Sequence, residues 1–316
     1  MACKTLSVRH PLPPRRDGHA ADTALLARRS ASPPNGDLAS RDQVIAGVAC
    51  QTVGEPAANG AVVLHLHGGG YRLGSAKDWI AFGSRLAAAA DAPVILPDYA
   101  LAPEFPFPHA VHDVVGILTE LSARPDVGPI VLSGDSAGGG LALAVADALA
   151  PPAPLAGLIL MSPWLDLRII ADSYERCARS DPLFSSASAK ASAEDYLQGW
   201  PADDPRASPL LGDLDGLPPV CLFASSAEVL ADDSMGLARQ LGANGTPITS
   251  VMLPNVLHDW PVMEPQRQET AFLFEVIRTF AGQVLGRTGS LCTGASPCDR
   301  IAAVGRGQDE LRDTSP

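Results

Sequence analysis

Six short apolar runs recur along the chain with helix-like stretches between them: AVVLHLH (61–67), APVILPD (92–98), PIVLSG (129–134), LAGLILMS (155–162), PPVCLFAS (218–225) and PITSVMLP (247–254). Several are apolar almost without interruption, which is the pattern of strands buried on both faces. The stretches at 78–90, 109–121, 136–150, 232–243 and 266–282 carry helical patterns and fill the gaps. Strand followed by helix, repeated, predicts an α/β fold with a mostly parallel sheet covered by helices on both sides. With 316 residues, 46% of them apolar, the chain has enough material for one large α/β domain or two small ones.

The ends of the chain read differently. Residues 1–41 mix Pro, Arg, Ser and Gly, and only ADTALLARR (21–29) has a helical pattern, so this segment is expected to be loosely ordered or a partial cap. The tail at 283–316 lacks periodicity and is expected to be disordered. Residues 42–282 are the predicted folded domain. Within it, the interval of about 164–209 has aromatic residues and turn signals but no strand pattern. An insertion of that length is a candidate cap, set above the carboxyl ends of the strands, where open α/β sheets hold their ligands.

Charge and cysteine usage narrow the function classes. The formal net charge is −12, but residues 1–41 hold seven Lys/Arg against three acids and 283–316 four against four, leaving 12 against 28 in the 42–282 body. Such a field repels nucleic acid and anionic membrane surfaces and favours a neutral or cationic small substrate. The first sixteen residues have no apolar h-region, and no window approaches the roughly 20 apolar residues a bilayer requires. The expectation is a soluble, cytoplasmic protein. Six cysteines, at 3, 50, 177, 221, 292 and 298, form no C-x-x-C pair, which argues against a zinc site or a disulfide framework and for free thiols.

The chemistry concentrates at two glycine-rich turns. In IVLSGDSAGGGLALAVADALA a β-rich run ends in Gly134-Asp135-Ser136-Ala137-Gly138 and a helical pattern starts at once. This is G-x-S-x-G between strand and helix, a turn so sharp that it pushes the serine hydroxyl into the crevice. The helix that follows aims its first amides at an oxygen where negative charge develops. No Lys-Ser/Thr follows the glycines and no G-x-G-x-x-G spacing occurs, so a phosphate loop is not indicated. Upstream, the first apolar run ends in His67-Gly68-Gly69-Gly70-Tyr71, and three successive glycines let a backbone turn its N–H groups inward at close range.

HGGGY (67–71), PDYALAPEFPFP (97–108), GDSAGG (134–139), SPWLDL (162–167) and DDPRASPLLGDLDGLPPV (203–220) together resemble the hormone-sensitive-lipase family of α/β-hydrolase esterases over roughly residues 42–282. The resemblance implies an eight-stranded sheet with a helical cap, no metal or organic cofactor, and hydrolysis of short-chain carboxylic esters. It implies as oxyanion donors the backbone amides of Gly69, Gly70 and Ala137. Two departures stand out. Ala100 replaces the arginine usual in D-Y-R-L-A-P-E, so an ion pair from that position to Glu104 is lost, at an expected cost to stability. Residues 1–41 also look poor in the helices that normally form half the cap.

Ser136 needs a base that titrates near neutrality, which points to histidine. His258, in LPNVLHDWP just after the last predicted strand, respects the chain order serine, acid, histidine. His10 and His19 lie in the irregular N-terminal segment. His65 and His67 lie two apart on a strand without a plausible third metal ligand, and His67 is expected to brace the glycine loop. His109 and His112 suit solvated or capping roles. For the acid, the family pattern D-x-L-x-D aligns with Glu228-Val229-Leu230-Ala231-Asp232, which makes Glu228 the implied orienter of His258 and leaves Asp232 as the alternative. Asp232 and Asp233 both read as first-turn helix acids, and Asp259 is too close in sequence to His258 to act easily. Tyr71, Trp164, Phe184 and Trp200 are candidates for pocket lining or cap core.

These residues together predict a serine carboxylesterase for a small-molecule ester, and a homodimer is compatible with them. An aryl-amide hydrolase using the same triad is the alternative. A non-catalytic small-ligand binder is a third class, which would be marked by loss of the base.

Overall fold

The computed structural model describes residues 40–148 and 155–286. The helix expected at 21–29, and the other expectations for residues 1–39 and 287–316, lie outside the described residues.

All six apolar runs form strands, and neighbouring residues explain why the runs are apolar on both faces. Val131 packs into the core on one side of the sheet and Leu132 into the core on the other, as successive strand residues must. The strands are β3 (Val62–Leu66), β4 (Val94–Pro97), β5 (Ile130–Asp135), β6 (Leu155–Met161), β7 (Val220–Ser225) and β8 (Ile248–Leu253). Two further strands, β1 (Ser40–Ile45) and β2 (Val48–Val53), make a hairpin that no apolar run announced. Ala46 and Gly47, both at positive φ, form its two-residue turn. The hairpin extends the sheet to eight strands in the order β1-β2-β4-β3-β5-β6-β7-β8, with the β1–β2 and β2–β4 pairs antiparallel and the others parallel.

Helices cover both faces. On one side, α1 (Ile80–Ala90) and the last helix pack against Val63, Val94, Val131, Ile159 and Phe223. On the other, α2 (His109–Ala123) and α3 (Ala137–Ala148) pack against Leu64, Leu132, Leu158 and Leu222. The segment between β6 and β7 carries α4 (Ser173–Arg176) and α5 (Ser186–Leu197), the latter started by a capping box of Ser185 and Ser188. Then follow α6 (Ala231–Asn244), α7 (Trp260–Met263) and α8 (Gln268–Val284), which runs two residues into the stretch read from sequence as tail. Among the described residues no helix is long and apolar enough to cross a membrane.

This topology sets the site. Strands β3 and β5 are parallel neighbours in register, Leu66 opposite Gly134, so the loops leaving their carboxyl ends, the triple glycine and the Ser136 turn, come out side by side. The loops after β7 and β8 emerge at the same end of the sheet.

Candidate active site

Ser136 occupies a left-handed backbone position, φ 51°, between β5 and α3. Its N–H donates to Met161 O at 2.9 Å and its carbonyl accepts from Trp164 N at 2.9 Å, so the strained turn is held by the neighbouring strand end. Room for the turn depends on Gly138, where a Cβ would sit 2.1 Å from Leu66 O and 2.5 Å from His67 O. Helix α3 begins at Ala137, immediately after the hydroxyl.

His258 lies in the loop after β8, and its Nε2 is 2.9 Å from Ser136 Oγ. Its Nδ1 is 2.7 Å from Glu228 Oε2, and the other carboxylate oxygen accepts the Ser225 N–H at 2.9 Å. Glu228 is fully buried and His258 is 5% exposed, which keeps competing water from this line of contacts. The tautomer with its proton on Nδ1 donates to Glu228 and leaves Nε2 to accept from the serine hydroxyl.

The other two acids of the 228–233 cluster are committed elsewhere. Asp232 accepts from Ser173 N at 2.8 Å and pairs with Arg176, tying α6 to α4; the guanidinium beside it holds its carboxyl below the usual range. Asp233 lies in the first turn of α6, as its position in the sequence predicts, but its role goes further. It is buried, its Oδ2 accepts the N–H groups of Leu165 (2.8 Å) and Asp166 (3.1 Å), and burial pushes its pKa up to about 7. The apolar SPWLDL segment folds over it, which no local pattern around 233 reveals. Asp259 turns its backbone N–H to Ser162 Oγ and begins α7.

The glycine loop is braced from below. Gly68 N–H donates to Asp135 Oδ2 at 2.9 Å, Trp79 Nε1 donates to Oδ1 at 3.0 Å, and His65 Nε2 lies 3.2 Å from the same oxygen. His67 stacks on Tyr99, whose hydroxyl donates to His67 O at 2.6 Å. Gly69 and Gly70 take φ of 122° and 62°, left-handed positions that glycine adopts without steric cost, and among the described residues no acceptor takes their N–H groups. Asp135 and Trp79 went unnoticed in the sequence, although a carboxylate at the end of an otherwise apolar strand was a visible signal.

The chain matches the family described as alpha/beta hydrolase fold over residues 63–262. The chain belongs to the α/β-hydrolase family. The hydrolase is 38% identical over 237 residues to an acetyl-hydrolase of Streptomyces hygroscopicus, covering 72% of this chain and 78% of that one. It is also 38% identical over 208 residues to an esterase of Acinetobacter venetianus, with coverage of 64% and 68%. Among solved structures it is similar to EstE5 soaked with p-nitrophenyl butyrate, with TM-score 0.78, 31% identity and coverage of 87% and 95%. An esterase from the bacterial hormone-sensitive lipase family aligns with TM-score 0.77 at 30% identity, covering 86% of this chain and all of that one. The expected likeness to the hormone-sensitive-lipase family therefore holds.

Of the four aromatic candidates, Phe184 stacks its ring on that of His258, with centroids 5.7 Å apart. Trp164 is buried edge-on behind Phe184, and Tyr71 is buried in a stack with Tyr196 of α5. Trp200 is 46% exposed and packs on Phe107. His109 Nδ1 donates to Pro106 O at 2.7 Å, and His112 is exposed. Glu104 is also exposed, so Ala100 leaves no buried carboxylate unpaired. Among the described residues no group of three or more His, Cys, Asp or Glu is placed to hold a metal ion.

Proposed function

We propose that this ester hydrolase is a serine carboxylesterase for short-chain acyl esters, working through Ser136, His258 and Glu228 and an acyl-enzyme intermediate. The observation that carries the reading is the continuous line of contacts from Glu228 Oε2 to His258 Nδ1 (2.7 Å) and from Nε2 to Ser136 Oγ (2.9 Å). His258 takes the hydroxyl proton as Ser136 attacks the ester carbonyl, and Glu228 stabilises the imidazolium that forms. The N–H groups of Gly69, Gly70 and Ala137 receive the oxyanion, and the alcohol departs with the proton from His258. Water, deprotonated by the same imidazole, then releases the acid. Relatives named acetyl-hydrolase and ethyl acetate hydrolase support a short acyl group.

The reading is tested with p-nitrophenyl acetate and butyrate. The parent protein is expected to hydrolyse both, and Ser136→Ala to lower kcat by about 10⁴-fold or more. Hydrolysis by Ser136→Ala at the parent rate would refute the assignment of this site.

A further inference from the structure

We infer that Asp181, in the segment between β6 and β7, is a positioning residue that fixes both the Glu228 loop and the ring that covers His258. The inference rests on the reading of Ser136, His258 and Glu228 given above. Asp181 is 6% exposed and carries three hydrogen bonds on its carboxylate. Oδ2 accepts the N–H of Val229 at 3.0 Å, and Oδ1 accepts the N–H groups of Leu183 and Phe184, each at 3.0 Å.

The first bond reaches the acid. The Val229 N–H belongs to the peptide plane that leaves Glu228, so pinning it fixes the backbone from which the Glu228 carboxylate projects toward Nδ1. The other bonds reach the base. They hold the backbone of Phe184, whose ring lies nearly parallel to the His258 imidazole, 18° between planes, with the edge of Trp164 behind it. One enclosed carboxylate thus sets the partner on Nδ1 and the surface over the ring, and it touches neither side chain.

Simple attachment of the segment does not need Asp181. Ser173 Oγ already bonds Val229 O at 2.6 Å, Ser180 Oγ bonds Ala227 O at 2.8 Å, and Asp232 and Asp233 bind the backbone at Ser173 and Leu165. What Asp181 adds is the simultaneous hold on Val229 and Phe184. The carboxyl group at the imidazole is that of Glu228, on Nδ1, and the buried Asp259 is next in the chain. Loosening the first weakens the support for the imidazolium.

The test compares Asp181→Ala and Asp181→Asn with the parent on p-nitrophenyl acetate across pH, alongside circular dichroism and Tm. The alanine variant is expected to lose about 10- to 100-fold in kcat with KM changed less than threefold, since small misplacements of reacting groups cost rates of this size. The acid limb of kcat/KM is expected to move to lower pH. The asparagine variant keeps the size and one acceptor oxygen, and is expected to shift both quantities in the same direction by less. A role in anchoring alone would lower Tm or raise KM and leave the acid limb in place, and that result overturns the inference. So does a folded variant with parental kcat, and so does failure of both variants to fold. Should Asp181→Ala alone fail to fold, Asp181→Asn decides by the same criteria. Ser136→Ala is run beside them: if it stays active the reading of the site fails, whereas an inactive Ser136→Ala with parental Asp181 variants overturns only the role of Asp181.

Discussion

At Asp233 the carboxyl group is enclosed, and both N–H groups that reach it land on one oxygen. An aspartate in the unfolded chain loses its proton near pH 4, whereas burial holds this one to about 7. Between those values the folded protein keeps a proton that the unfolded chain has released, so this group makes stability fall as pH rises, with the full penalty present above about pH 7. An asparagine oxygen can accept the same two bonds without the charge. Asp233→Asn is therefore expected to match the parent near pH 4 and to exceed it at pH 8 by up to about 4 kcal/mol in urea denaturation. The neighbouring acids call for different outcomes. Glu228→Gln keeps the shape but cannot support the imidazolium, and kcat is expected to fall by about 10³- to 10⁴-fold. Asp232→Asn disturbs a partly exposed ion pair with Arg176 and should leave kcat within about threefold, because such pairs contribute little. Three carboxylates within six residues were legible as a cluster, with Glu228 the implied partner of His258 and the other two at a helix start; the enclosure of Asp233 was not, because it depends on which distant segment reaches it.

The turn from β5 into α3 shows how far local pattern reaches at the scale of an element. G-x-S-x-G between an apolar strand and a helix was read directly, since the backbone demand is local. The reason for the second glycine lies outside the turn, in the carbonyls of Leu66, the last residue of β3, and of His67 after it, which a Cβ at position 138 would meet. Gly138→Ala is expected to force β5 and β3 apart, with a loss above about 2 kcal/mol in stability and of most esterase activity, read by denaturation and p-nitrophenyl acetate turnover. The β1–β2 hairpin marks the opposite case. Most of Ser40–Ile45 faces solvent, so the strand has no apolar run, and its turn is Ala-Gly rather than the stronger Asn-Gly or Asp-Gly signal. Helix and strand ends elsewhere fell within a few residues of their patterns, as with α8 running on to Val284.

Across the whole molecule, the excess of 28 acidic over 12 basic residues in the 42–282 body sets a long-range field that acts on approach and not on fold. A cationic ester is accordingly expected to show a kcat/KM that falls as ionic strength rises from 10 to 300 mM, on the order of several-fold, while a neutral ester of equal size changes little. Equal salt response of the two esters would show that the field does not reach the site. By itself the sequence determined the doubly covered parallel sheet, the two glycine turns and the chain order of serine, acid and histidine. The sheet and the two turns follow from periodicity and from backbone geometry spanning a few residues, and the order of serine, acid and histidine from the resemblance of the motifs. Only the tertiary structure decided that Glu228, and not Asp232, stands at His258 Nδ1, that Asp233 is buried, and that Asp181 reaches Val229 and Phe184 together. The contacts at Glu228, Asp233 and Val229 span 30 to 68 residues of chain and are created when separate loops pack at one end of the sheet. Neither periodicity nor spacing encodes which of several equivalent carboxylates such packing will enclose.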